Sequence, residues 1–318
     1  MPTNIPIFFS VNDQYAASLA VAMQSLINHA ASTNHYQLMV LYQELSADNQ
    51  EQLGQLATEN VSISFIPLEE RFSERFDNDQ NKLRADYVTL TIYYRLFIAD
   101  MFPEFDKAIY LDADILVRDD IAKLYDIDLL GALVGAANDR FIATDPTVSA
   151  YAAQVVGINP HLYVNSGILL MDLKKFRDTH FTDTFLQLLT TYHFTLIAPD
   201  QDYINALAKD DLYQLPMEWN LETAVMPANF HPARLVHYNL FEKPWQYRDV
   251  PFADEFWRTA KQTSYYDVLE SQLRGTTDAD HQQNDQKIAR LMATAVQLTN
   301  DTTQPTLRTV LAEQNANA

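Results

Sequence analysis

The chain contains no cysteine, which removes disulfides, thiolate catalysis and cysteine-ligated zinc. Glycine is nearly as scarce. There are six in 318 residues, none arranged as Gly-x-Gly-x-x-Gly or as a Walker loop, so a nucleotide would have to be gripped without a glycine-rich phosphate cradle. Basic residues are also few: 22 Lys and Arg stand against 42 Asp and Glu, for a formal charge of -20. Such a chain lacks the clustered cations that neutralise nucleic-acid or anionic-membrane phosphates, and no nucleic-acid partner is expected. A phosphorylated ligand stays within reach if a metal supplies positive charge. No apolar run approaches a membrane span. The stretch from Met1 to Ser10 has neither a basic n-region nor a long apolar h-region, so no signal peptide is read and a cytoplasmic protein is the expectation.

What is present is a hydrophobic fraction of 47%, enough for one large domain with additions. Ile5 to Ser10 reads as a buried strand, Val11 to Gln14 as a turn, and the stretch from Tyr15 as a helix with Leu19, Ala22, Met23 and Leu26 inward. A strand near Tyr36 to Tyr42, a helix from Ser46 and a strand at Val61 to Ile66 complete a βαβαβ order, the pattern of a doubly wound nucleotide-binding half. Thr89 to Phe102 has a helical pattern ended by Pro103. Leu133 to Asn138 and Ile168 to Asp172 read as further strands, the second followed by one helix through Leu173 to Tyr192, and Pro199 opens another helix. Past Leu212 the chain is aromatic and proline-punctuated. From about Gly275 it turns polar, with one helix expected at Asp285 to Leu298. Roughly the last 15 residues read as weakly ordered on composition.

The most informative segment is Lys107 to Val117, an apolar run carrying two carboxylates, Asp112 and Asp114. With Ala108 to Leu111 as a buried parallel strand, both acids emerge at its carboxyl end, where open α/β sheets bind ligands. There the pair could hold a hard divalent cation bridged to a diphosphate. The same spacing recurs at Asp77/Asp79, Asp126/Asp128, Asp200/Asp202 and Asp278/Asp280. Asp77/Asp79 and Asp278/Asp280 lie in polar surroundings that read as solvated loop, and Asp112/Asp114 alone follows a short β-rich apolar run.

Six motifs then fall in a family's order: Phe9-Ser10-Val11-Asn12-Asp13-Gln14-Tyr15, Tyr94-Arg95-Leu96, Tyr110-Leu111-Asp112-Ala113-Asp114, Val164-Asn165-Ser166-Gly167 running on to Asp172, Asp200-Gln201-Asp202, and His237-Tyr238 with Lys243-Pro244-Trp245 close behind. Together, over roughly residues 5 to 247, they make the chain resemble glycosyltransferase family 8. The resemblance implies an α/β, Rossmann-like GT-A fold with a mixed central sheet, a catalytic domain over 1-250 and a C-terminal helical extension over 251-318 with a polar tail.

It further implies a retaining UDP-sugar enzyme that moves glucose or galactose to a carbohydrate, lipid-linked or glycoprotein acceptor. Asp112, Asp114 and His237 would hold Mn2+, with Mg2+ as the alternative, and Lys243 would pair with phosphate. Asn12, Gln14 and Tyr15 would meet the uracil and ribose end, and Ser10 and Ala113 would join the donor-binding set; Arg95, Asn165, Asp200 and Gln201 would surround the donor sugar, with Gln201 and Asp200 as the catalytic pair. Two departures stand out: Asn12 occupies a position often acidic in the family, and Leu240 and Glu242 fall where family members usually carry a glycine after the His-aromatic pair. A UDP-sugar-binding protein with weak catalysis and a metal-dependent phosphate-ester hydrolase are the rival readings. Tyr93, Tyr94 and the carboxyl-terminal aromatics read as core or lid packing, with an acceptor platform near Trp245 and Tyr247 as the second reading. The polar tail is not basic, and a peripheral membrane contact or a protein partner is left open.

Overall fold

The computed structural model describes residues 3–68, 91–227 and 232–317. Among the described residues ten strands run in chain order as β1 (Asn4–Val11), β2 (His35–Tyr42), β3 (Val61–Pro67), β4 (Lys107–Leu111), β5 (Ile115–Val117), β6 (Val134–Ala137), β7 (Ile168–Asp172), β8 (Leu212–Leu215), β9 (Leu221–Glu222) and β10 (Leu235–His237). Apolar residues face both sides of β1, because Ile5, Ile7 and Phe9 join one hydrophobic cluster and Phe8 the other. β4 divides the same way, with Ile109 and Leu111 on one face and Ala108 and Tyr110 on the opposite one. A strand covered on both faces reads as an unbroken apolar run, which is why both were legible.

Seven strands form a mixed sheet in the order β3-β2-β1-β4-β7-β6-β8. β1 is parallel to β2 and to β4, β2 is parallel to β3, and β7 runs antiparallel to both β4 and β6. A second sheet of three strands has the order β5-β10-β9. The helices α1 (Ala16–Ile27) and α2 (Ala47–Gly54) connect the first three strands. Asn12 Oδ1 accepts from Gln14 N (3.1 Å) to start the turn before α1, and Ser46 Oγ accepts from Asn49 N (3.4 Å) to cap α2.

Five expectations differ in detail. Thr89 and Leu90 lie outside the described residues; from Thr91 to Phe97 the chain is 3-10 helical, turning α-helical only over Ile98–Met101. The single helix expected over Leu173 to Tyr192 is two, Leu173–Asp178 and α3 (Phe181–Tyr192), because His180 sits at φ 53 and breaks the run. After α4 (Pro199–Leu207), α5 (Ala253–Ala260) and α6 (Tyr266–Gly275), the helix expected from Asp285 begins earlier: α7 spans Asp278–Asn300. Thr277 and Asp280 close a reciprocal capping box there, so Asp278/Asp280 opens a helix rather than lying in a loop. The last stretch forms α8 (Leu307–Asn317), whose Leu307 and Val310 are buried in the cluster that holds Ala152 and Val156. Leu311 packs half-buried against the same cluster, so one apolar stripe docks the helix.

Candidate active site

The chain leaves β1 toward β2 and β3, then returns on the other side of β1 as β4. That reversal opens a crevice at the carboxyl ends of β1 and β4, where doubly wound sheets bind ligands. Ser10 and Tyr15 line the crevice from the β1 side, and Asp112, Ala113 and Asp114 line it from the β4 side. Residues 112 to 114 are the bridge between the two sheets, since β4 ends at Leu111 and β5 begins at Ile115. β10 pairs antiparallel with β5 in the register His237↔Ile115, and Tyr238 N donates to Asp114 O (2.9 Å). Register alone thus brings His237 beside the two aspartates across more than a hundred residues of chain.

Asp112, Asp114 and His237 each offer a ligand atom, and these atoms all lie within 4.8 Å of one another. His237 Nε2 stands 3.7 Å from Asp112 Oδ2 and 3.4 Å from Asp114 Oδ1. The Lys243 ammonium, buried in the same place, pairs with Asp114 and donates to Tyr238 O. Burial pushes Asp112 above its ordinary range, with Arg95 opposing and Asp114 adding to it. Burial acts on Asp114 in the same sense, but Lys243 and His237 outweigh it and hold that carboxyl well below the usual range.

A chain of hydrogen bonds fixes which face His237 presents. Gly167 N donates to Asn165 Oδ1 (2.9 Å), so that oxygen is identified, and Asn220 Nδ2 donates to it as well (2.9 Å). Asn220 Oδ1 must then be the atom facing His237 Nδ1 (2.9 Å), which makes Nδ1 the donor. In the neutral ring Nε2 therefore carries a lone pair aimed at two carboxylates. Three electron-rich atoms converging in a half-buried place fit a divalent cation.

Arg95 forms the other wall. Its guanidinium lies 3.1 Å from Asp112 Oδ1 and 3.0 Å from Asp200 Oδ2, donates to Ser166 O (2.6 Å), and stacks over the Tyr110 ring at 4.3 Å. Burial works against its charge, yet Asp112 and Asp200 more than offset this and raise its pKa. Gln201 is held rigidly: Oε1 accepts from Ser166 N (2.9 Å) and Nε2 donates to Asp139 Oδ2 (3.0 Å). Asn165 spends its amide on Asp139 (3.2 Å) and Glu222 (3.3 Å).

A cavity of about 330 Å³ brings Asp112, Asp114, Asn165, Gln201, His237 and Lys243 together. A second, of about 340 Å³, joins Ser10, Tyr15, Arg95, Ala113 and Asp200 to the aspartates. A third, of about 260 Å³, holds Asn12 with Ser10 and Tyr15 at the end of β1. Gln14 faces a separate cavity against the C-terminal helices. The aromatic platform is not free: Trp245 is buried against Phe256 (5.5 Å) and Tyr247 is stacked on His281 (4.1 Å). Leu240 sits at φ 57, the left-handed conformation that glycine favours, at a cost of about 1–2 kcal/mol for a residue with a Cβ.

Sequence reasoning missed Asp139, Asn220 and Glu222. Asp139 follows the apolar strand β6, the same signal that singled out Asp112. Glu222 is buried, accepting from Arg140 N (2.7 Å) and Asn239 Nδ2 (2.6 Å), and burial followed by Asp139 raises its carboxyl well above the ordinary range. Nothing in the local sequence marks it. Asp202, beside the catalytic candidates, turns away and accepts from Tyr163 OH (2.7 Å) and Tyr151 OH (2.8 Å).

Burial pushes Asp202 from its ordinary 3.8 up to about 7 against those hydrogen bonds. The folded protein therefore holds a proton that the unfolded chain releases, so stability is greatest below the lower value and declines as pH climbs toward the upper one. Melting temperature should fall between pH 5 and 8, and Asp202→Asn should flatten that fall, Glu222 accounting for part of the remainder. An equal slope in the variant would remove Asp202 from the account.

Among the described residues no helix is long and apolar enough to cross a membrane. The family model described as Glycosyl transferase family 8 matches residues 6–249. General stress protein A of Bacillus subtilis (strain 168) is 26% identical over 275 residues, 80% of this chain and 92% of that protein. Lipopolysaccharide 1,2-glucosyltransferase of Escherichia coli (strain K12) is 30% identical over 170 residues, 48% of each chain. Among solved structures, galactosyltransferase LgtC in complex with donor and acceptor sugar analogs superposes with a TM-score of 0.66 at 25% identity, covering 82% of this chain and 96% of that one. The mixed sheet is that of the GT-A glycosyltransferases, and with three-quarters of its length inside the matched region the chain belongs to glycosyl transferase family 8.

Proposed function

We propose that the protein is a retaining hexosyltransferase, moving glucose or galactose from a UDP-sugar to a carbohydrate, lipid-linked or glycoprotein acceptor. The observation that carries this reading is the meeting of Asp112, Asp114, His237 and Lys243 at the crevice between β1 and β4. The names of two similar proteins, a glucosyltransferase and a galactosyltransferase, support a hexose donor.

Asp112, Asp114 and His237 would hold Mn2+, or Mg2+ in its place, and such an ion when bound offsets the charge that a departing diphosphate acquires. Lys243 adds a second positive charge on the same side. Ser10, Asn12, Tyr15 and Ala113 receive the nucleoside, while Gln14 lies in the neighbouring cavity. Arg95, Asp200 and Asn165 border the donor sugar, and Asn239 Oδ1, buried without a protein partner, is an acceptor that a sugar hydroxyl would satisfy.

Gln201 is a neutral amide and a poor nucleophile. Asp139 is no better placed to attack, because Oδ1 accepts from Ile142 N (2.9 Å) while Oδ2 accepts from Asn165 and Gln201. We therefore favour attack by the acceptor hydroxyl on the face the diphosphate leaves, the leaving phosphate oxygen taking the hydroxyl proton and Gln201 Oε1 stabilising the oxocarbenium-like ring. A glycosyl adduct on Asp139 or Gln201 in intact-protein mass spectrometry would overturn this route.

The test of the function is a donor screen with Mn2+, following UDP release with and without mixed acceptors. Acceptor-stimulated release identifies the sugar. Binding of UDP-glucose or UDP-galactose without release would favour the weakly catalytic binder, and inorganic phosphate from a monoester would favour the hydrolase.

Asn220 should matter to the same site. Asn220→Ala frees the His237 ring to turn, and we expect Mn2+ affinity, read by electron paramagnetic resonance, to fall by about 10–100-fold. Unchanged affinity with a lowered melting temperature would make Asn220 a packing residue only.

A further inference from the structure

We infer that α7 forms one wall of an acceptor groove for an uncharged, hydroxyl-rich oligosaccharide, read by Gln283 and Lys287; this rests on the transferase reading above. A cavity of about 640 Å³ lies beside the candidate active site, within the roughly 300–1,000 Å³ usual for ligand pockets. It shares Tyr15, Leu240 and Lys243 with the cavity that holds Asp112, Gln201 and His237. Those three side chains border both spaces.

α7 borders both. Asp280, Gln283, Asn284 and Lys287 line the larger cavity and Leu291 the smaller. Positions 280, 283, 284, 287 and 291 fall on one helical face, so a single stripe runs from the outer space to the chemistry. The stripe is held in place by the loop that carries Lys243. His281 Nε2 lies 3.0 Å from Gln246 O, its ring stacks on Tyr247 at 4.1 Å, and Asn284 Nδ2 donates to Tyr247 OH (3.2 Å). α7 also lies wholly beyond the family match, which ends at residue 249.

The lining chemistry selects the occupant. Gln14, Gln246, Gln272 and Gln283 supply carboxamides, which donate and accept and so suit hydroxyls that do both. The charges are few and largely engaged: Asp280 Oδ2 accepts from Thr277 N (2.8 Å) and Thr277 Oγ1 (2.7 Å), and Lys243 is paired with Asp114. Lys287 reaches Asn284 Oδ1 at 3.4 Å and faces the Phe241 ring at 5.6 Å. One remaining exposed cation among amides is too little for a polyanion and enough to orient a neutral sugar.

The experiment uses the full chain and the double variant Gln283→Ala/Lys287→Ala. Saturation-transfer difference NMR is run without donor on lactose, maltotriose and N,N′-diacetylchitobiose, with a uronic-acid oligosaccharide and anionic lipid vesicles as contrasting probes. UDP release from UDP-glucose and UDP-galactose with Mn2+ is then measured with each sugar. We expect at least one neutral sugar to give saturation transfer that the variant loses. The same sugar should stimulate UDP release with a KM about tenfold higher in the variant, the donor KM holding. Saturation transfer equal in the variant, none from any neutral sugar, or binding of the anionic probes alone overturns the groove. A neutral sugar lost in the variant but without UDP release from either donor sinks the transferase reading and leaves the groove standing.

Discussion

Asp114→Asn should lower acceptor-stimulated UDP release by about a thousandfold, roughly 4 kcal/mol of transition-state stabilisation. The asparagine keeps the shape and removes the charge, leaving Asp112 and His237 as two ligands where three converge within 4.8 Å. It also strips Lys243 of its ion-pair partner in a buried place. Removing one member of a buried pair is costly, on the order of 3–5 kcal/mol where no water can reach the survivor. Lys243 keeps one acceptor, Tyr238 O, so the lower part of that range is expected in the melting curve. Rates are therefore compared per folded protein, and Mn2+ titration accompanies them. The metal assignment fails if folded Asp114→Asn binds Mn2+ as the parent does and turns over within tenfold of it.

Asp112 and Asp114 are legible in the sequence because an apolar strand ends in them, and two acids at the mouth of a buried strand have few structural reasons to be there. His237 carries no such mark. Its place depends on β10 pairing with β5, a register that no local pattern announces, and only the resemblance reached it. Asn220 and Glu222 are hidden for a related reason: a lone polar residue after Trp219 or Leu221 reads as surface, while β9 lying beside β10 carries Glu222 into the interior next to Asp139. Arg95 is reached only through the resemblance, because its guanidinium is held by Asp112 and Asp200, partners far away in the chain. At the carboxyl end composition misled in the opposite sense. α8 is polar in six positions out of eleven, but Leu307 and Val310 are buried and Leu311 packs beside them, which docks one side.

Gly167→Ala should be nearly as damaging as loss of a ligand, although it removes no functional group. A Cβ at residue 167 would stand 2.3 Å from His237 Cε1 and 2.8 Å from Asp112 Oδ2, so one methyl displaces two of the three converging side chains. Neither can yield freely. His237 is tied through Nδ1 to Asn220, and Asp112 accepts from Tyr110 OH (2.9 Å) while its own backbone N donates to Gly167 O (2.8 Å). The backbone at 167 cannot retreat either, since Gly167 N is held by Asn165 Oδ1. Relief must come from a shift of about 1 Å in His237 or Asp112, and a misplacement of that size costs about a hundredfold in rate. Overpacking adds about 1–3 kcal/mol of destabilisation. Mn2+ affinity should weaken together with kcat/KM, because the methyl acts on the ligands and not on the donor or acceptor. If instead kcat/KM falls while Mn2+ affinity holds, the close approach at Gly167 serves the sugar, and His237 and Asp112 are not positioned by it for a metal.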